Sequence, residues 1–234
     1  MSGMMTRRGA LGAIGSGMSA LLAGCAQLFP TTYRFRMTVA VDTPQGLRTG
    51  SSVMEISVKE ASWRIADSAR AGVHLKGQAV AVDLPLGRTL FALLTDEGRG
   101  EIMTGVTRAL YPGFVGGADH FIEAAPKLAA MRNGPPREMA REDYPLLVTF
   151  ADIRDPTSVA RVDPEDLAAT FGSGMRLRRI SVAVTDEAIS TGIDERLGWL
   201  GSYRNKTFAG NRFAIEPTLS DSLMAGAFTT ESVQ

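Results

Sequence analysis

Tyr33, Phe35, Met37, Val39 and Val41 alternate with Arg34, Arg36, Thr38, Ala40 and Asp42. A period of two over nine residues commits this stretch to a β-strand with one face buried, because successive side chains leave a strand on opposite sides. Thr43-Pro44-Gln45-Gly46 ends the pattern, since Pro44 presets a turn and Gly46 permits a positive φ. Met54, Ile56 and Val58 then alternate with Glu55, Ser57 and Lys59 as a return strand. The connection through Gly50-Ser51 reads as too long for a two-residue hairpin, which predicts a register not fixed by the turn.

Two further strands follow. Val80, Val82 and Leu84 share one face, Pro85 to Arg88 turns the chain, and Leu90 to Leu94 is apolar on both faces. A run of that kind predicts a central strand covered on both sides. Strands joined by turns without helices between them predict an antiparallel sheet rather than βαβ units. The middle of the chain reads as helical, with Val106 to Leu110 ended by Pro112-Gly113. Phe121 to Met131 follows, where Pro126 predicts a kink or a second helix start. Leu146 to Phe150 reads as a buried strand. Asp163-Pro164-Glu165-Asp166 predicts a helix over Leu167 to Phe171, capped by Asp163 and stopped by Gly172-Ser173-Gly174. In the last strand Leu177 is out of phase with Ile180, Val182 and Val184, so a β-bulge is expected at Arg178-Arg179. Ile193 to Leu200, with Trp199, reads as a short helix on the sheet. The expected class is therefore α+β, a largely antiparallel sheet carrying a few short helices.

The N-terminal segment speaks to location. Arg7-Arg8 precede an uncharged run of small and apolar residues that ends in Leu22-Ala23-Gly24-Cys25, the layout of an export signal. The run from Gly9 to Gly24 is too short and too rich in glycine for a membrane span of about 20 apolar residues. Leu22-Ala23-Gly24-Cys25 resembles the lipobox of bacterial lipoproteins. That resemblance implies acylation of Cys25 with fatty acids such as palmitate and a mature chain that begins there. Each buried methylene contributes about 0.8 kcal/mol, so two or three chains hold a protein on a bilayer durably. Thr6-Arg7-Arg8-Gly9-Ala10-Leu11 resembles a twin-arginine signal, with Ala10 where Phe is usual. Ala26 lacks the Asp that retains lipoproteins at the inner membrane, which implies the outer membrane, facing the periplasm. The expected organisation is a signal over 1–24, a short tether over 25–32, one α+β domain over 33–216 and a flexible tail over 217–234.

Composition narrows the partners. The chain has 25 basic and 25 acidic residues, and loss of Arg7 and Arg8 with the signal leaves 23 against 25, formally −2. Such a balance has no basic excess for phosphate neutralisation, so nucleic acid is not an expected partner. Cys25 is the single cysteine. With it acylated, the mature domain has no thiol for a disulfide, a cluster or a nucleophile.

Chemistry-bearing residues are sparse. His74 and His120 are the two histidines, far apart and without metal-ligand spacing. Asp119-His120 beside Gly116-Gly117 offers a general base, and Ser51, Ser52 or Ser173 a nucleophile, without a G-x-S-x-G elbow. Gly172-Ser173-Gly174 follows a helix and precedes a strand, the reverse of a phosphate-cradling order. Arg176, Arg178 and Arg179 form a basic cluster suited to a strand face in solvent or to an anionic headgroup or glycan. Asp83 reads as solvent-facing.

From Tyr33 to about Tyr203 the chain resembles an uncharacterised family of proteobacterial proteins, many with export signals. The resemblance rests on Tyr33 to Val39, Asp42 to Gly46, Thr49 to Val53, Val82 to Leu84, Phe91 to Leu94, Val162 to Leu167 and Ile193 to Leu200. It implies no activity, cofactor or site. The expectation is a lipid-anchored envelope protein with a non-catalytic binding or structural role, without cofactor or metal, and with no catalytic residue assigned. Its partners are the membrane and an envelope protein, lipid or glycan. The alternative is a metal-independent hydrolase using Ser or carboxylate chemistry. Convergence of Asp83, His120 and Ser51-Ser52 in one pocket would favour it.

Overall fold

The structure is a computed structural model that describes residues 29–60, 71–98, 100–210, 215 and 218–230. Arg7, Arg8 and Cys25 lie outside the described residues. The fold is α+β, built on two antiparallel sheets.

The alternation at Tyr33 to Val41 becomes β1 (Thr31–Thr43), paired with β2 (Gly46–Glu60) without a register shift from Thr31↔Val58 to Thr43↔Gly46. The expected long connection is thus a two-residue hairpin turn, Pro44-Gln45. The Thr43 hydroxyl donates to the Gly46 carbonyl at 2.7 Å and Gly46 takes φ +105°. The strand was hidden because Leu47, Arg48 and Thr49 project into solvent and carry no apolar alternation. The first sheet adds β3 (Ala71–Lys76) beside β2, which sequence reading missed. β9 (Arg176–Thr185) lies beside β1 and the two-residue β6 (Arg137–Glu138) beside β9. In β9, Arg179 faces Ala40 and Leu177 faces Val41, so Arg178 is the extra residue of a bulge. Leu177 and Ile180 both reach the core because of it.

The second sheet has the order β4 (Val80–Asp83), β5 (Thr89–Asp96), β7 (Pro145–Phe150), β8 (Val159–Arg161). β5 is covered on both faces, as its unbroken apolar run requires. Leu90, Ala92 and Leu94 enter the main core, while Phe91 and Leu93 enter a second one. The main core also holds Phe35, Met37, Val39, Met54 and Ile56. It is closed by α1 (Met103–Leu110) and α2 (Ala118–Met131), which runs through Pro126 as a single helix. The sheets meet where Gly50 of β2 lies against the Ala81 carbonyl of β4.

Two further expectations need correction. α3 (Leu167–Phe171) is capped by Asp166, whose carboxylate accepts from Ala169 N, and not by Asp163. Asp163 instead accepts from Glu165 N and closes the turn before the helix, which delays the helix start by three residues. The segment beyond residue 217 is not a loose tail over 218–230. Phe228 is fully buried, Leu223 and Ala225 are buried, and Thr229 bridges to Gln78. With α4 (Ile193–Arg196) and the turn Leu200–Tyr203, this segment covers the outer face of the second sheet. Its small polar residues close short 3₁₀ turns. Thr218 and Asp221 form a reciprocal cap at one of them.

Candidate functional site

The second sheet ends in a cleft of about 740 Å³. One wall is the β4–β5 connection. Its Leu84 N–H donates to the Arg88 carbonyl at 2.8 Å, so the chain must reverse within three residues, Pro85, Leu86 and Gly87. Leu86 pays for this with a left-handed conformation (φ 62°, ψ 27°), and its side chain is 94% exposed. An isobutyl group in water on a strained backbone is an unusual placement, and strain of this kind gathers at functional surfaces. The opposite wall is Ala151 to Arg154, leaving β7. Asp152 fixes it by accepting from Arg154 N at 3.0 Å and from Arg154 Nε at 3.1 Å.

Phe91 and Phe150 line the cleft from the strands. Their rings meet edge to face at 5.7 Å, and Trp199 packs on Phe150 at 5.5 Å. The Trp199 indole N–H donates to the Ile153 carbonyl at 2.8 Å, tying the wall to the C-terminal segment. Arg88 is half-buried. Its Nη1 donates to the Thr170 carbonyl at 2.7 Å, and its guanidinium lies 4.8 Å over the Phe171 ring. Among the described residues it has no carboxylate partner. Beside the cleft, Asp83 is held by Arg196 through both guanidinium nitrogens and by Thr89 at 3.4 Å. The Arg196 guanidinium is the main reason the Asp83 carboxyl lies below the ordinary carboxylate range.

The residues singled out from sequence do not converge. His120 sits in the first turn of α2, its Nδ1 2.7 Å from the Gly116 carbonyl and its ring edge-on to Phe114. His74 is exposed on β3, opposite Ser57. Ser52 is buried and donates to the Gln78 carbonyl at 2.9 Å, Ser51 is exposed opposite Thr38, and Ser173 lies exposed after α3. None of these residues lines the cleft. Of the basic cluster, Arg178 and Arg176 both pair with Asp42 at the end of β1, at 2.8 and 3.5 Å. Among the described residues, no group of three or more His, Cys, Asp or Glu side chains comes together as a cation site. Sequence reading missed Arg88 altogether, taking Pro85 to Arg88 only as a turn. The available signal was an arginine closing a turn beside a fully buried strand.

Comparison of the chain with protein-family models, with curated proteins and with solved structures found no match.

Proposed function

We propose that this is a lipid-anchored protein of the bacterial cell envelope, exported through Arg7-Arg8 and held by acyl chains on Cys25, with a non-catalytic binding role. The observation that carries the reading is Leu22-Ala23-Gly24-Cys25 at the end of an uncharged run. The start of β1 at Thr31 supports it. Five residues separate Cys25 from Thr31, and the six steps between them reach at most about 20 Å. Thr32 and Arg34 share a small cleft with Leu128 and Arg132, so the end of the domain bearing the α2 C-terminus would face the bilayer.

The larger cleft is placed for a partner away from that surface. Its Arg88 touches the end of α3, and the following Gly174 lies against Pro44 at the hairpin tip. The 13 residues of β1 put that tip about 40 Å from the anchored end. The outer membrane, facing the periplasm, is the location that Ala26 favours. Fatty-acid labelling in cells tests the anchor: wild type takes the label and sediments with membranes, and Cys25→Ser loses both. An unlabelled, soluble mature wild type would overturn it. The histidine-based form of the hydrolase alternative has its own test, since His120→Gln should complement a deletion strain fully.

A further inference from the structure

We propose that a second cavity, between the end of the second sheet and the C-terminal segment, binds a small organic cation. Its ammonium group sits on Glu101 and its apolar body rests against Leu219, Met224 and Ala227. This gives the non-catalytic binding role above a ligand class, and it does not depend on the lipid anchor.

The cavity has a volume of about 280 Å³ and is walled by the adjoining ends of β5 and β7 on one side and by residues 219–227 on the other. Sheet geometry turns its polar side chains inward, because cross-strand partners project to the same face. Leu146 and Val148 of β7 enter the second core, which the C-terminal segment covers. Arg161 is the partner of Val148 and projects to that face. Thr95 follows Leu94, which enters the main core, and so turns the other way, toward the cavity. Glu101 is bridged opposite Thr95 and shares its side. Leu219, Met224 and Ala227 line the cavity and are half-buried, so an apolar guest would cover surface that meets water.

Hydrogen bonding selects the charge of that guest. The Thr95 hydroxyl donates to the Gly100 carbonyl at 2.8 Å, and the Ser222 hydroxyl to the Leu219 carbonyl at 2.8 Å. A hydroxyl has one proton, so toward a guest both can only accept. Arg161 is the remaining side-chain donor of the lining, and its Nη1 lies 3.4 Å from Glu97 Oε1. Glu101 is exposed and has no basic partner among the described residues. Two carboxylates against one guanidinium leave the lining with one net negative charge. An ammonium group, with three donors and no lone pair, matches such a set. A carboxylate would meet Glu101 and two hydroxyls with no proton to give.

Met224 supplies the readout. The full chain carrying Cys25→Ser is labelled with ¹³C at its methionine methyl groups and purified without detergent. Met224→Leu identifies the Met224 resonance, which is followed while hexylamine, hexan-1-ol and hexanoate are added in turn. A saturable shift with hexylamine is expected, with the alcohol about three- to fivefold weaker and the carboxylate weaker still. Glu101→Gln, at an exposed position that the fold does not depend on, should bring the amine down to the alcohol and leave the alcohol unchanged. Raising the salt concentration should weaken the amine alone. Ala227→Phe should fill the cavity and weaken the amine and the alcohol together. The proposal is overturned if hexylamine does not shift Met224 at concentrations up to about 10 mM. It is equally overturned if the alcohol or the carboxylate binds as well as the amine, or if Glu101→Gln leaves the preference for the amine intact. A wild type without the lipid label at Cys25 would refute the anchor and leave this test intact.

Discussion

The two cores of this molecule are assembled from different kinds of chain. The inner face of the first sheet is filled by Phe35, Met37, Val39, Met54, Ile56 and Val182, which come from long strands in strict alternation. Helices α1 and α2 close over them. The outer face of the second sheet is covered by short turns separated by irregular chain. A regular element presents an apolar side chain every second residue or every turn, so modest aliphatic groups suffice. Irregular chain has no such stripe, and it compensates with a few large rings. Trp199 meets Phe150 and Phe228 meets Phe91 edge to face, and Tyr203 and Phe208 join them by packing edge to face on Trp199, with centroids 5.0 to 6.1 Å apart. Each ring buries on the order of 150–250 Å², several times the area of an alanine. The main core, which sets Tyr33, Phe35, Phe114, Phe121, Tyr144 and Phe171 among many aliphatic side chains, is therefore distributed over many contacts, and the smaller core concentrates its stability in a few rings.

That contrast is most exposed at Phe228. It contacts Phe91, Phe150, Trp199 and Phe208, and its backbone carbonyl accepts from Ala79 N at 2.8 Å. Phe228→Ala should cost about 3–5 kcal/mol by chemical denaturation, the range for large buried rings. It should also raise hydrogen exchange across residues 193–230 before the first sheet is affected. A loss below about 1 kcal/mol, or uniform exchange, would show that the C-terminal segment is not a separate layer.

The seam between the halves predicts the next largest effect. A Cβ on Gly50 would run into the Ala81 carbonyl, which is backbone and has no side-chain freedom with which to yield. Gly50→Ala should therefore push β2 from β4 and cost about 1–3 kcal/mol, as overpacking does. A nearly neutral Gly50→Ala would mean that the two sheets slide past each other without penalty.

The same contrast decides what the sequence made legible. β1, the second half of β2, β5, β7 and the bulge at Arg178 were readable because a buried sheet face forces a period of two, and a slip in that period has one local remedy. The first half of β2 was not, because both faces of Leu47 to Thr49 meet solvent and no burial writes a pattern there. Residues 218–230 were misread for a related reason: Phe228 and Leu223 do their packing singly, between residues as small as Gly226 and Ala227. The cleft was invisible because its walls lie some sixty residues apart in the chain.

Inside the helix-covered half, one polar contact measures how tightly the layers are joined. The Tyr33 hydroxyl of β1 and the Thr107 hydroxyl of α1 are 2.7 Å apart and buried, and burial pushes the Tyr33 phenol well above its ordinary range. Thr107 also donates to the Met103 carbonyl at 2.7 Å, so it keeps a partner when the phenol oxygen is removed. Tyr33→Phe should cost about 1 kcal/mol, the net worth of one hydrogen bond. A loss of 3 kcal/mol or more in equilibrium denaturation would show that this bond organises the helix layer.

The smallest effect concerns the ion pair that fastens the C-terminal layer to the second sheet. Arg196 of α4 grips Asp83 of β4, and both side chains are open to water, at 36% and 69% exposure. Arg196 favours the ionised carboxylate and lowers its pKa, while the smaller effect of burial works in the opposite direction. A carboxyl whose folded pKa lies below its unfolded value of about 4 contributes its full stability above that value. The contribution then falls away as the pH drops through the folded pKa. Because the pair is exposed, its worth at neutral pH should be under about 1 kcal/mol. Urea denaturation of wild type and Arg196→Gln should show that difference at pH 7, and the difference should shrink as the pH is lowered below the ordinary carboxylate range and folded Asp83 takes up its proton. If the difference persists in acid, Arg196 acts through its stem packing on the second sheet, and its charge adds nothing to the attachment of the C-terminal layer.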